Sequence, residues 1–307
     1  MPASTPLGAA AAISLAADRR PVHVIGASGR SGAALCRALA ARGVPVVPVV
    51  RDARRWSLRG IDVPPRVADL RDIVALADAL RDGTRIASTA HARHVPAILS
   101  ASPPDAMLVC LGSTRKFTRW PDRHGNGVLN GERALLASGR PGVILHPTMI
   151  YGAEGENNVQ RLAALLRRLP LIPLPAGGRA LVQPIHQSDV TGALLAALAS
   201  RWDTPASVVI AGPDRVSYRG FVAAVGRAAG LKRRPVVPVP AGLLMLAAPL
   251  SRLVPRLPQV GRAEIRRLLE DKAFDIAPMR EQLGIEPLPL TEGLRRTFAP
   301  GPDPRAC

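Results

Sequence analysis

The stretch Val22-His23-Val24-Ile25-Gly26-Ala27-Ser28-Gly29-Arg30-Ser31-Gly32 constrains this chain more than any other. A short strand-forming run meets a glycine turn, and a helical pattern through Ala33, Leu35, Cys36 and Leu39 follows. Each part has a physical use. A strand delivers the backbone to the carboxyl edge of a sheet. Glycines let it turn sharply and approach a pyrophosphate, and the next helix offers unpaired N–H groups and its positive dipole end. The spacing is G-x-x-G-x-x-G rather than G-x-G-x-x-G. A glycine triplet alone also fits a purely structural turn. The strand before it and the helix after it favour a dinucleotide site, with Gly26, Ser28, Gly29, Arg30, Ser31 and Gly32 as candidate contacts.

Residues 44–50 read as a second parallel strand, although Pro45 and Pro48 each remove a ladder donor. NAD-preferring folds place an Asp or Glu about 20 residues past the glycines, on the ribose 2′-hydroxyl. Arg51 stands there, followed by Asp52. An arginine suits a 2′-phosphate, so NADP is favoured over NAD, with Arg30 as a candidate second cation. A solvated surface arginine is the plain alternative for both. Residues 67–70 read as strand three, with Asp69 and Leu70 at its end. Asp72 reads as the cap of a helix through Ile73, Leu76, Ala77 and Leu80. Residues 86–89 read as strand four, ending in Ser88 and Thr89, before a helix over 91–99. Strand five, 107–111, runs into Gly112-Ser113-Thr114. A polar loop over 115–126 precedes a helix over 128–138 that stops at Gly139. Strand six, 143–145, ends at His146-Pro147-Thr148.

This alternation predicts an α/β fold, a doubly wound parallel (Rossmann) sheet, over 21–150. Residues 151–298 read as a smaller, irregular substrate-side region interleaved with that core. It has a helix near 158–168, short strands at 171–174 and 181–185, and an alanine- and leucine-rich helix from Asp189 to about 199. Short strands at 208–210 and 236–239 surround a helix near 218–229. Helices near 241–254, 259–270, 278–283 and 291–298 finish it. Residues 1–20 read as a tail, disordered or mis-started, and 299–307 as another.

The net charge of +18 invites a nucleic-acid reading. Of the 41 basic residues only Lys116, Lys232 and Lys272 are lysines, and the arginines are spread along the whole chain. No nucleic-acid motif accompanies them, and aromatic residues make up 3% of the chain, so no nucleic-acid partner is expected. Cys36, Cys110 and Cys307 have no metal-ligand spacing, which argues for a reducing compartment and no metal. No basic segment precedes the apolar stretch of residues 1–20, so no signal peptide and a cytoplasmic location are expected. Residues 241–250 are apolar but too short to span a bilayer, and Pro249 interrupts them. Packing under a substrate cleft is their favoured role, and membrane-surface association the lesser one.

Four stretches together resemble the extended and atypical short-chain dehydrogenase/reductase superfamily, in its epimerase/dehydratase-like branch. They are Gly26–Gly32, Ala68-Asp69-Leu70-Arg71-Asp72, His146-Pro147-Thr148-Met149-Ile150-Tyr151-Gly152 and Gln183-Pro184-Ile185-His186-Gln187-Ser188-Asp189-Val190. A fifth, Leu283-Gly284-Ile285 with Leu290-Thr291-Glu292-Gly293-Leu294, is similar to its C-terminal pattern. Within the branch the chain most resembles bacterial relatives of the dinucleotide-binding accessory subunit of respiratory complex I. The resemblance implies that Ser113, or Thr114, orients a reacting oxygen. It implies that Pro147, Thr148 and Met149 line the nicotinamide side, and that Asn157, Asn158 and Gln183 face the substrate. It gives His186 and Asp189 a structural part, Asp189 as a helix N-cap, and Tyr151 a packing one.

The chain departs from that family where chemistry is concerned. The family's reductases carry Tyr-x-x-x-Lys, in which lysine lowers the tyrosine pKa and tyrosine moves the proton. Only Tyr151 and Tyr218 are present, and neither has a lysine four residues on. Counting back from Glu132 puts His124 in the tyrosine slot and Val128 in the lysine slot. His124 becomes a candidate acid or base, with an ordinary loop histidine as the plain alternative, and Arg115 or Lys116 a candidate cation. His146 replaces the usual arginine. The expected function is an NAD(P)-binding oxidoreductase or epimerase acting on a small-molecule substrate by hydride transfer. The alternative is a protein that holds the dinucleotide for structure or sensing, or within a respiratory complex, without turnover.

Overall fold

The computed structural model describes residues 15, 20–152, 158–247 and 261–299. In chain order, β1 (Val22–Ile25), α1 (Arg30–Ala40), β2 (Val46–Val50), α2 (Ala53–Ser57), β3 (Arg66–Val67), α3 (Ile73–Leu80), β4 (Arg85–Ser88), α4 (Val95–Ala101), β5 (Met107–Leu111), α5 (Arg123–Ala137) and β6 (Gly142–Pro147) alternate. There follow β7 (Ile150–Tyr151), α6 (Asn158–Arg168), β8 (Ile172–Pro175), β9 (Leu181–Val182), β10 (Ile185–His186), α7 (Gln187–Ala199), β11 (Pro205–Ile210), β12 (Val216–Ser217), α8 (Tyr218–Ala228), β13 (Val236–Val239), α9 (Ala241–Ala247), α10 (Arg262–Arg267), α11 (Ala277–Leu283) and α12 (Leu290–Phe298).

Seven strands form one parallel sheet in the order β11-β6-β5-β4-β1-β2-β3. This is the doubly wound α/β arrangement that the sequence predicts. All of β1 is buried between β2 and β4, because a strand covered by helices on both faces has no wet side. Val22 and Val24 join one core with Leu35 of α1 and Leu194 of α7. Ile25 joins the opposite core with Leu76, Ile98 and Leu135 of α3, α4 and α5. Pro48 is accommodated by the ladder geometry. The carbonyls of Pro45 and Val49 accept from Val22 and Gly26 of β1, whereas Val50 accepts from Ala68 on the β3 side. Pro48 shares the parity of Val50, and β3 pairs only with Val49 and Val50, so its missing donor leaves no strand unpaired.

Several boundaries differ from expectation. β3 is Arg66–Val67, so Asp69 and Leu70 lie beyond it in a turn. A 3-10 turn, Ala92–His94, precedes α4, and another, Thr114–Phe117, follows β5. α5 begins at Arg123 rather than 128, capped by Asp122, whose carboxylate accepts from Gly125 N at 2.8 Å. His186, rather than Asp189, caps α7. Asp189 Oδ2 instead accepts the Leu288 N–H at 3.0 Å and ties the C-terminal segment to α7. The 208–210 strand is β11, the seventh strand of the main sheet, so residues 151–298 build part of the core. The rest of that region has its own core around buried Tyr151, Phe221, Leu290 and Leu294. In α9, Leu243 and Leu246 are 58% and 70% exposed, so this segment does not pack under a cleft as expected. The expected tails, residues 1–14, 16–19 and 300–307, lie outside the described residues.

Glycines in α5 set how closely the site loops can approach. A Cβ on Gly131 would lie 2.0 Å from Ala92 O, and one on Gly125 would lie 2.8 Å from Arg115 O. Gly131→Ala is therefore expected to destabilise the fold by roughly 1–3 kcal/mol, the usual cost of overpacking, seen as a lower urea midpoint. Gly242→Ala, whose Cβ meets no described atom within 4 Å, should leave the midpoint unchanged or raise it.

Candidate dinucleotide site

The glycine turn sits at the carboxyl end of β1 and is held from three sides. Gly26 has φ +76°, a backbone conformation that glycine adopts without strain. Gly29 N donates to Gly26 O at 2.9 Å and closes the turn. A Cβ on Gly32 would lie 2.3 Å from Gly26 O, so α1 reaches the turn only because Gly32 lacks one. Thr89 Oγ1 lies 3.0 Å from Ile25 O and 3.2 Å from Gly26 O, and donates to these carbonyls from the β4 side. Arg59 Nε donates to Ser28 O at 2.8 Å, and Ser31 Oγ donates to Gln187 Oε1 of α7 at 3.0 Å.

Two cavities flank this turn and share Ser28 and Arg55. One, about 530 Å³, lies toward β2 and β3, with Gly26, Val49, Asp69 and Leu70 on its wall. The other, about 920 Å³, is bordered by Ser28, Gly29, Arg30, Ser31, Thr89 and Met149. The sequence therefore located the turn, Arg51, Asp69, Leu70, Thr89 and Met149 on the walls. It missed Arg55, Arg59, Arg71, Arg93, Arg123 and Gln187. Arg55 belongs to α2, and the overlooked signal is Asp52, an N-cap residue just before it. Asp52 Oδ1 accepts from Arg54 N at 2.9 Å and lies 3.4 Å from Arg55 N.

Arginines outnumber carboxylates on both walls. Arg51, Arg55, Arg71, Arg93 and Arg123 border the smaller cavity, against Asp52 and Asp69. Asp52 is committed to its cap. Asp69 Oδ1 accepts from Arg71 N at 2.9 Å, which holds its carboxyl below the usual range. Arg30 borders the larger cavity with Arg55 and Arg59, and Arg51 borders only the smaller one, so Arg51 and Arg30 do not share one phosphate position as expected. Arg55 stands beside Arg51 instead.

The other candidates are placed differently. Ser88 is buried, and Ser88, Pro147 and Thr148 border neither cavity. Thr148 Oγ1 donates to Gln183 O at 2.5 Å. Gln183 is buried, its Nε2 donating to Gly212 O at 2.7 Å and its Oε1 accepting from Phe274 N at 2.7 Å, so it staples the C-terminal segment rather than facing a cleft. Asn157 lies outside the described residues, as does the side chain of Asn158 at the start of α6. Tyr151 packs as expected, with Gly293 leaving room for its ring.

Ser113 and Thr114 open the 3-10 turn after β5. Ser113 Oγ accepts from Arg115 N at 3.2 Å, and Thr114 Oγ1 donates to Pro147 O at 3.2 Å. His146 lies beneath, fully buried, with Nδ1 accepting the Ser113 N–H at 3.2 Å. Nε2 therefore carries the hydrogen and stands 3.3 Å from Glu132 Oε1 without the alignment of a hydrogen bond. Glu132 is held by Lys116 Nζ and by Ser207 Oγ at 2.5 Å. Burial pushes the Glu132 pKa up, but these donors outweigh it and hold it below the usual range. Lys116 thus serves a buried carboxylate. Gly112 allows the assembly, since its Cβ would lie 2.3 Å from His146 Nδ1.

His124 is exposed on the first turn of α5 and borders neither cavity. Its Nδ1 lies 3.0 Å from His91 Nε2, and the rings meet edge to face. His91 Nδ1 accepts from Arg93 N at 3.0 Å, so His91 Nε2–H donates to His124. Burial, reinforced by His124 and Arg93, brings His91 down to about 4. Burial and Arg115 lower His124. Val128, in the lysine slot, is 1% exposed.

No protein-family profile matches the chain. An uncharacterized protein of Mycobacterium tuberculosis (strain ATCC 25618 / H37Rv) is 27% identical over 271 residues. The match covers 87% of this chain but only 28% of that protein, so the chain spans little more than a quarter of its curated relative. Among solved structures, the Escherichia coli NADPH-dependent quinone oxidoreductase, solved with NADPH, superposes with TM-score 0.71 at 17% identity, over 90% of this chain and 99% of that one. The Thermus thermophilus UDP-glucose 4-epimerase, in complex with NAD, gives TM-score 0.66 at 20% identity, over 91% and 97%. The Bacillus cereus UDP-glucuronic acid 4-epimerase, with UDP-glucuronic acid and NAD, gives 0.67 at 15%, over 91% and 98%. The chain has the fold of these epimerase- and oxidoreductase-like proteins along nearly its whole length.

The buried histidine makes stability depend on pH. Burial, and next the charge of Lys116, bring His146 from its ordinary 6.5 down to about 4. An unfolded chain takes up this proton below 6.5, whereas the folded one resists until about 4. Stability from this group is complete above pH 6.5 and is lost as pH falls toward 4. Urea unfolding between pH 7.5 and 4 should show that decline, and His146→Gln should make it shallower, the other histidines with lowered pKa supplying the remainder.

Proposed function

We propose that the protein binds NADP(H) along the two cavities and acts as an oxidoreductase on a small carbonyl or carbinol compound. The observation that carries this reading is the trough itself, two cavities that share Ser28 and Arg55, with arginines in excess of carboxylates on both walls. The residues present fit the group. The Gly26–Gly32 turn and the first N–H groups of α1 would hold the pyrophosphate. Arg51 and Arg55 would hold the 2′-phosphate, and Met149 would border the nicotinamide. The solved relatives carry NADPH or NAD on this same fold, so local charge decides between them. With Asp52 engaged in its cap and Arg51 in no ion pair among the described residues, that charge favours NADP.

Bound nicotinamide supplies a hydride at its C4. None of Ser113, His91 and His124 lines either cavity, so the chain's own part, orienting an oxygen through Ser113 and holding a proton on the linked histidines, falls to groups outside the cavity walls. A second reading, in which the dinucleotide is held without turnover, is favoured by one specific observation. Val128 is buried where the family's lysine would stand, and the neighbouring Gly131 is pressed against Ala92 O.

Fluorescence titration tests cofactor choice. One charge-assisted contact is worth about 1.5–3 kcal/mol, so Arg51→Asp should weaken NADPH by roughly tenfold or more and change NADH less. Equal affinities for both cofactors in the parent protein would count against the NADP reading. Steady-state carbonyl reduction tests the chemistry. A histidine acid whose pKa lies below 6.5 makes the rate rise as pH falls through that range. His124→Ala should remove the rise while leaving NADPH binding intact. No turnover at any pH, with tight NADPH binding, would favour the second reading.

A further inference from the structure

A third cavity, about 730 Å³, lies away from the trough, between the C-terminal end of α6, the start of β8, α8 and the loop leading into β13. Its apolar wall includes Leu166, Ile172 and Val222, all buried. Its rim carries Arg219 and Arg227 of α8 and the consecutive Lys232, Arg233 and Arg234, with no carboxylate on the wall among the described residues. Elsewhere many of the chain's cations have partners, such as Arg66 with Asp82 and Arg280 with Glu286. None of these five forms an ion pair among the described residues. Glu264, the charged neighbour of Tyr218 at the start of α8, is taken up by Gly261 N at 2.8 Å and by Arg267. Arg234 Nε is itself buried and has no hydrogen-bond partner among the described residues.

Five like charges around one concavity repel one another, and a buried guanidinium N–H without an acceptor is costly. An anion with several oxygens relieves both, and arginine forks match phosphate geometry. We propose that this cavity is a binding site for a phosphate-class anion carried on a partly apolar molecule, its oxygens on the arginine rim and its carbon skeleton against Leu166, Ile172 and Val222. Two sources share that chemistry, an anionic phospholipid headgroup and a soluble phosphorylated metabolite. The exposed Leu243 and Leu246 of α9, which starts two residues after β13, give the lipid source an apolar contact beside the charge.

The test uses the full chain at about 0.15 M salt, where screening over roughly 8 Å suppresses diffuse attraction to a basic protein. One arm measures co-sedimentation with phosphatidylcholine vesicles with and without phosphatidylglycerol. The other measures calorimetric titration with inorganic pyrophosphate in the presence of saturating NADPH, which would occupy the glycine turn. Arg227→Glu with Arg234→Glu should weaken whichever probe binds by about tenfold or more. Arg42→Glu with Arg133→Glu makes the same change in net charge at exposed positions off the cavity, and should change binding far less. If the first pair does not fold, judged by its thermal melt, Arg219→Gln with Arg227→Gln replaces it. Loss of vesicle binding assigns the lipid source, and loss of pyrophosphate binding alone assigns the soluble one. Binding of neither probe overturns the proposal, as does equal weakening by both pairs or binding of both probes that survives the cavity substitutions. NADPH titration of the same variants should be unchanged, so this proposal and the trough reading fail separately.

Discussion

The structure depends on the approach of Gly32 to the carbonyl of Gly26. With no Cβ between them, the first turn of α1 settles directly on the turn that ends β1. That contact places the start of α1 at the sheet's carboxyl edge. It also brings Ser31 within 3.0 Å of Gln187 on α7, so the second half of the chain is registered against the same turn. Thr89 fixes the turn from β4 and Arg59 from the segment after β2. One missing methyl thus ties together four elements that are far apart in sequence.

Arginine does two jobs in this chain. Some guanidiniums are structural. Arg140 donates to Leu99 O and Ser102 Oγ, both at 3.0 Å, and to Ala106 O at 3.2 Å, closing the turns around α4. Arg66 pairs with Asp82 beneath the sheet and beside buried His23. Others border cavities in numbers that the local carboxylates do not match. A composition that looks like uniform bias in the sequence becomes, once folded, a set of cationic concavities, two beside the glycine turn and one beside α8.

What the sequence reveals follows from which interactions are local. The strand, turn and helix of residues 22–40 have a period and a glycine spacing that survive any tertiary context, and the first six strands follow in the order expected. Asp72 caps α3 and Gly139 ends α5 because both signals act within one turn. The start of α5 was hidden because Gly125 and Gly127 look like loop residues. They are in the helix because the loops after β4 and β5 press against it, a non-local reason. β11 could not be assigned to the main sheet from a short apolar run, since pairing with β6 is decided some sixty residues away in sequence. Gln183 resembles a cleft residue in its motif, yet Gly212 and Phe274 claim both ends of its amide. The arginines beyond Arg51 carry no pattern of their own and become a group only when β2, β3, α5 and the Ala92–His94 turn converge.

The same geometry explains why a trough of this kind can be complete for binding and sparse in proton donors. His124, which the family resemblance would put in the tyrosine slot, leans on His91, and Lys116 is turned inward to Glu132. All of this turns on where a dinucleotide would sit. Amide hydrogen exchange with and without NADPH locates it. Slowed exchange is expected in peptides covering residues 26–33 and 51–59, with residues 217–236 unchanged. Unaltered exchange at the glycine turn, or protection confined to the C-terminal region, would contradict it.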